Sequence, residues 1–272
     1  MNNQLQTKPK FSLAIQSEGY KKLINNTLGD PDKAKRFIAS ISSAVATNTQ
    51  LQKCDAGSIL SGALLGEALN LSPSPQLGQY YLVPYGDQAQ FQLGYKGYIQ
   101  LAIRSGQYKD IDVIEIREGE YKGRNKLTGK QEFEFIEDDD ERESKEIVGY
   151  LAYFEYLNGF YKSVYWTKLK MQSHAKEYSK AYANDLKKGT NYSFWAKDFD
   201  DMAKKTVLRQ LISKWGIMST EMQEAVQKDM AVIKENGSYD YIDNKEDNNL
   251  IIDQKVEEKE LNNEQQVSID EL

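Results

Sequence analysis

The stretch from Ala56 to Asn70 constrains the fold more than any other. Its apolar residues, Ile59, Leu60, Ala63, Leu64, Leu65, Ala68 and Leu69, point to all sides of a helix rather than to one stripe. Such a helix must be covered all round, so the rest of the chain has to wrap it. Asp55 is placed to cap its start, and Pro73 and Pro75 prevent its continuation. Gly62 and Gly66, four residues apart, leave room for another backbone to come close. With 272 residues the chain can build one good core or two small ones.

The surrounding elements can be read from periodicity. Pro31-Asp32 opens an amphipathic helix to about Asn48, with Phe37, Ile38, Ile41 and Val45 at helical spacing. Tyr80–Pro84 and Gln88–Leu93 flank a Tyr85-Gly86-Asp87 turn as a hairpin. A short helix follows, Tyr95–Ser105, stopped by Gly106. Asp110–Arg117 alternates Ile111, Val113 and either Ile114 or Ile116 as a strand. Residues 118–130 read as a basic loop or hairpin tip, with strands at Gln131–Ile136 and Ile147–Leu157. Asn158-Gly159, a strong hairpin signal, joins the latter to a strand at Phe160–Trp166. Helices are predicted at Thr167–Tyr182, Phe194–Trp215 and Ser219–Lys234.

Net charge is −6, which by itself argues against a nucleic-acid partner. Its distribution reverses that argument. Residues 234–272 carry 4 basic and 12 acidic side chains, and residues 132–146 carry 2 and 9, leaving 29 basic against 20 acidic elsewhere. Acidic charge gathered into two short stretches leaves a basic body suited to an anion. From Glu235 onward the chain is nearly devoid of aromatics and cannot bury enough apolar surface to offset ordering entropy. It is expected to be a disordered acidic tail, 235–272, whose Leu250-Ile251-Ile252 and Val267, Ile269, Leu272 could dock on a partner. Residues 1–30 are expected to form a partly flexible segment that touches a neighbouring subunit, and 31–234 the core. No run of 18 apolar residues is present and the first ten residues are polar, so a membrane span or secretion is not expected. A single cysteine, Cys54, excludes an internal disulfide and fits a reducing cytoplasm.

Covalent chemistry finds little support. The nearest approach to a phosphate-binding Walker loop, Gly123–Lys130, has five intervening residues and is followed by Gln131. His174, the lone histidine, excludes a zinc site built on several histidines and reads as a surface residue. Cys54 reads as an inert thiol. Asp110, Asp112, Glu115 and Glu120 could hold two metals for strand cleavage, but Lys109, Arg117 and Lys122 beside them account for these charges as ordinary pairing. No catalytic or metal-ligating residue is assigned.

Features suited to a polyanion are better defined. In the helix that begins at Tyr95, Lys96, Gln100 and Arg104 share one face, with Ile99, Ala102 and Ile103 turned away. Gly94 and Gly97 stand at its start, where unpaired backbone N–H groups suit phosphate. Residues 117–130 offer Arg117, Lys122, Arg124, Lys126 and Lys130 around Tyr121, a pairing of cations with a ring that suits single strands. In the helix at 194–215, Lys205 and Arg209 share a face, and Asp201 is spaced to pair with Lys205. Lys204 instead falls on the stripe of Val207, Leu208, Leu211 and Trp215, where it snorkels or meets an anion in a groove. The tyrosines on strands read chiefly as core.

Four stretches occur in one order over residues 30–220: CDAGSILSGALLGEALNLSP, LGQYYLVPYG, Gln90 to Tyr108 with GYKGYIQLAIRSGQY, and FWAKDFDDMAKKTVLRQLISKW. Together they resemble the RecT family of phage and prophage recombinases. The resemblance implies an α+β core, an antiparallel sheet packed with helices. It implies ATP-independent annealing of single-stranded DNA to a complementary strand, by a protein that assembles into rings or helical filaments. Partners would be a phage exonuclease and the host single-strand-binding protein, in a bacterial cytoplasm. No cofactor is required, and Mg2+ would serve only as a DNA counterion. On those motifs the expected DNA-binding residues are Tyr95, Lys96, Gln100 and Arg104 for one strand, with Lys204, Lys205 and Arg209 as a second wall. Arg117, Lys122, Arg124 and Lys126 would close over DNA or touch a neighbouring subunit. A passive single-strand cover protein is the main alternative, and a metal-dependent nuclease a lesser one.

Overall fold

The computed structural model describes residues 11–240 apart from 129 and 235. The chain opens with α1 (Phe11–Ala14), α2 (Glu18–Leu28), α3 (Pro31–Ala46) and α4 (Ala56–Ala68). The hairpin β1 (Tyr80–Tyr85) and β2 (Gln88–Leu93) leads into α5 (Tyr95–Arg104) and β3 (Tyr108–Arg117). A second hairpin, β4 (Tyr121–Arg124) and β5 (Gln131–Phe133), precedes α6 (Asp139–Ser144), β6 (Ile147–Tyr156) and β7 (Tyr161–Thr167). Then come α7 (Lys168–Tyr178), α8 (Lys180–Lys188), α9 (Phe194–Lys197), α10 (Phe199–Trp215) and α11 (Thr220–Lys228). The short strands β8 (Val232–Ile233) and β9 (Tyr239–Asp240) end the described chain. All strand pairs are antiparallel, so the fold is α+β with antiparallel sheets packed against helices.

Capping chemistry explains the helix starts. Asp30 accepts from the N–H of Asp32 and Lys33 ahead of Pro31 in α3, and Asp55 accepts from Ser58 in α4. The apolar α4 lies buried against β1 and β2. Its glycines do permit close approach, but of side chains rather than backbone. A Cβ on Gly66 would sit 2.3 Å from the Tyr80 ring, and one on Gly62 would sit 2.8 Å from Leu82.

The three-stranded sheet runs β3-β6-β7. Ile111, Val113, Tyr150, Ala152 and Phe154 join the main core, where α10 packs. Pairing of Ile114 with Leu151 and Ile116 with Gly149 puts these on the opposite face, and Tyr165 folds across Gly149 there to stack on Tyr121 of β4 at 4.7 Å. The choice between Ile114 and Ile116 therefore dissolves, since both face away from Ile111 and Val113.

Several expectations need correction. The helices at 167–182 and 194–215 are each interrupted. Ser179 leaves helical geometry and caps the next helix through Tyr182 N–H, and Asp198 breaks the second at φ −133°, ψ 58°. The acidic loop contains α6, capped by Asp138. The last helix stops at Lys228 instead of Lys234, because Ala231 and Met230 turn to pair with Phe91 of β2 at 2.8 Å each. The N-terminal segment adds Phe11, Ile15 and Ile24 to the main core. Residues 1–10 and 241–272, which hold most of the expected tail, lie outside the described residues. No helix among the described residues is long and apolar enough to cross a membrane.

Candidate nucleic-acid interface

Hairpin β1–β2 has two unlike faces. Tyr80, Leu82, Phe91 and Leu93 enter the core beside α4, whereas Tyr81, Gln90 and Gln92 line a cleft closed on the far side by residues 192–202. One part, about 680 Å³, lies between Tyr81, Gln92, Tyr95, Phe194 and Lys197. The adjoining part, about 500 Å³, shares Gln92, Phe194 and Lys197 and reaches Gln90, Tyr85, Lys188 and Tyr192.

The far wall is held by one carboxylate. Asp185, near the end of α8, accepts from the Thr190 hydroxyl at 2.6 Å and the N–H groups of Tyr192 and Ser193 at 3.0 and 2.7 Å. The Thr190 and Ser193 hydrogen bonds pull its pKa down to about 2. This fixes the turn that presents exposed Tyr192 and leads into Phe194.

At the cleft mouth α5 begins beside Gly94, whose Cβ would lie 2.1 Å from the Gly78 carbonyl. Only glycine allows that contact, and it brings the first turn of α5, with N–H groups that lack helical partners, to the cleft edge. The half-buried ring of Tyr95 has two ammonium groups near it, Lys96 at 5.8 Å and Lys204 at 5.0 Å. Lys96, Gln100 and Lys197 are exposed.

The structure brings together Tyr95, Lys96 and Lys204, with Lys205 on the same cleft as Tyr95 and Arg117 sharing Glu115 with Lys204. Lys204 pairs with Asp201 at 2.9 Å and Glu115 at 3.3 Å. Burial lowers its pKa, but the Asp201 hydrogen bond and charge outweigh that and leave it raised. Asp201, spaced to pair with Lys205, pairs with Lys204. Lys205 borders the cleft but is 5% exposed and pairs with buried Asp229 at 2.8 Å. Arg104 donates to the carbonyls of Leu69 and Asn70 at 2.6 and 3.4 Å, which closes the end of α4. Ile103, expected to turn inward, is exposed. Arg209 lies half-buried on α10.

The basic hairpin is equally engaged. Arg117 binds Glu115 at 3.2 Å and the Lys145 carbonyl at 3.1 Å, while its Nε lacks a partner among the described residues. Lys122 pairs with Glu134 at 3.0 Å. Arg124 and Lys126 are exposed on the β4–β5 hairpin and its tip, separate from the cleft residues. Phe194, Lys197, Gln90 and Gln92 lie within the stretches that resemble the family but are not among the expected DNA-binding residues. The alternation of glutamine with Ala89, Phe91 and Leu93 is their one local signal.

The acidic candidates are also committed. Glu120 is fully buried, with Arg142 Nε at 2.6 Å and Arg117 N–H at 2.7 Å. Asp112 accepts from Val113 N–H at 2.7 Å, and Glu115 serves Arg117 and Lys204. No group of three or more potential metal ligands is gathered among the described residues. Cys54 is buried with its thiol 3.3 Å from the Gln88 carbonyl. His174 is half-buried rather than on the surface, between Trp166 and Tyr178 at 5.2 and 4.6 Å.

Ammonium groups around a ring, at the mouth of a cleft walled by aromatics and amides, can hold a chain that alternates anionic and flat apolar groups. The comparisons with known proteins identify the class. The RecT family model matches residues 35–248, and the chain belongs to that family. The match extends beyond residue 215, where the last of the four stretches ends. A Bacillus subtilis (strain 168) relative, "Uncharacterized protein YqaK", is 45% identical over 230 residues, covering 84% of this chain and 74% of the relative. "Protein RecT" of Escherichia coli (strain K12) is 28% identical over 210 residues, covering 72% and 71% of the two chains. RecT-family proteins are single-strand annealing proteins of DNA recombination rather than enzymes in general, and membership implies that activity for this chain.

Proposed function

We propose that this protein anneals complementary DNA strands without nucleotide hydrolysis, and that the cleft between β1–β2 and α8–α10 carries the single strand. The observation that supports this path is the Tyr95 ring on the cleft wall with the ammonium groups of Lys96 and Lys204 at 5.8 and 5.0 Å from it. The exposed ammonium groups of Lys96 and Lys197 neutralise phosphates there and release counterions, while the rings of Tyr81, Tyr95 and Phe194 offer stacking surfaces. Such contacts read backbone and base planes, so pairing itself supplies sequence specificity.

Copies of the chain assembled side by side in a ring or filament align successive clefts, and pairing then proceeds along a held strand. The annealed duplex is the product. Mg2+ acts only as a counterion. A phage exonuclease supplies the single strand and a host single-strand-binding protein covers it, in a bacterial cytoplasm.

The test mixes complementary oligonucleotides with the protein, without ATP, and follows duplex yield and strand length. Accelerated pairing of intact strands is expected. Lys96→Ala and Lys197→Ala should each weaken strand binding and reduce the slope of log K against log salt by about 0.7 for each phosphate no longer neutralised. Binding without acceleration would instead define a passive cover protein, and shortened strands a nuclease.

A further inference from the structure

We propose that the side-chain amide of Gln90 donates to the edge of a nucleobase, making the inner part of the cleft a base-receiving site. This rests on the reading of the cleft as the strand's path.

Gln90 is only 1% exposed, and its Nε2 has no hydrogen-bond partner among the described residues. Buried amide donors are nearly always paired, so an orphan calls for an acceptor that the described residues do not supply. Folding does not need an amide here. Gln90 stands opposite Val83 across the hairpin, where an apolar residue of similar size would match the neighbour and leave no donor unpaired.

The surroundings define the acceptor. Gln90 borders a cleft of about 500 Å³, a volume ordinary for small-ligand sites, together with Tyr85, Gln92, Phe194 and Trp195. The exposed ammonium groups of Lys188 and Lys197 border the same space. Phosphates are served by such ammonium groups. A neutral amide among aromatic rings instead fits a flat group with acceptors in its plane, which describes a nucleobase. Every base carries at least one such acceptor, and the amide offers both donor and acceptor, so the site tolerates any sequence. A base held here cannot pair. It anchors the strand while its neighbours stay open, and it must leave the cleft when duplex forms. The site therefore favours single strands over duplex.

The experiment measures binding of the full chain by anisotropy over a salt series. The ligands are oligothymidylate, an abasic strand of equal length and a duplex. Gln90→Leu should weaken oligothymidylate binding by about three- to tenfold, the loss of one hydrogen bond, with the salt slope unchanged. Its affinity for the abasic strand and the duplex should equal that of the wild type, and its melting temperature should be equal or higher. Should Gln90→Leu melt lower, Gln90→Met, with an unbranched side chain, is scored on the same strands. Wild-type binding of oligothymidylate by these variants, with Lys96→Ala and Lys197→Ala both weakened, would overturn the base site and leave the cleft standing. Equal losses on the abasic strand would overturn it too. If the lysine variants also bind like the wild type, the cleft is not the strand's path and the base site falls with it.

Discussion

Lys205 and Asp229 offer the sharpest test of how α10 is locked to the body. Asp229 is 1% exposed and accepts three hydrogen bonds: Lys205 Nζ at 2.8 Å, Leu93 N–H at 2.9 Å and the Tyr98 hydroxyl at 3.1 Å. The carboxylate thus joins α10, β2 and α5 at one point. Asp229→Asn keeps the shape but takes the carboxylate charge from the buried Lys205 ammonium, and breaking a buried ion pair in this way costs about 3–5 kcal/mol. Lys205→Met leaves the carboxylate with its two neutral donors, a cost at the lower end of that range, about 3 kcal/mol. The double variant Lys205→Met/Asp229→Asn buries no net charge, so it should cost less than the sum of the singles by at least about 1.5 kcal/mol. Urea unfolding at pH 7 gives the four free energies of this cycle. Single losses below about 1 kcal/mol that simply add would refute the reasoning, because groups that behave so are solvated and uncoupled. A folded Lys205→Met should retain the wild-type salt slope for single-stranded DNA, since this lysine is occupied in the core.

Other consequences are as direct. Gly66→Ala drives a methyl into the buried Tyr80 ring and should cost about 1–3 kcal/mol, read as a lower melting temperature. Asp185 titrates at about 2 in the folded chain against an ordinary 3.8, so its stabilisation is complete above pH 4 or so and is lost as pH falls toward 2. Asp185→Asn should therefore flatten the acid limb of the stability profile, and an unchanged limb would show that the carboxylate does not hold residues 190–193. Arg142 donates to Glu120 and to the Glu115 carbonyl at 2.6 Å each, so Arg142→Ala should speed amide exchange across 138–145. Exchange there at the wild-type rate would mean that α6 is held by something else.

The first half of the fold was legible because its signals are local. Pro31-Asp32, Asp55 and Gly86 mark helix starts and a turn by their own chemistry, and α3, α4, β1, β2 and α5 fall close to where periodicity put them. The misses share a distant cause. The helix after Ser219 ends early because Phe91 supplies a pairing partner to Ala231, and α6 is anchored through Arg142 to Glu120. The site was legible to the same depth. A helical wheel turns Lys96 and Gln100 outward, but it carries no trace of the α4 carbonyls that take Arg104 or of Asp229, which takes Lys205. On α10, buried residues occupy more than one face, so the wheel could not rank Lys204 against Lys205.

Strand β2 carries two obligations on alternate residues. Ala89 and Phe91 are held by the core, while Gln90 and Gln92 meet the cleft. Parity therefore separates two kinds of heritable change along six residues of chain. Substitutions at 89 and 91 are judged by whether the protein accumulates at all, and those at 90 and 92 by what it touches once it has. Because side chains two apart on a strand share a face and adjacent ones do not, drift on one side leaves the other undisturbed. A lineage carrying this strand can retune its contacts without renegotiating its fold.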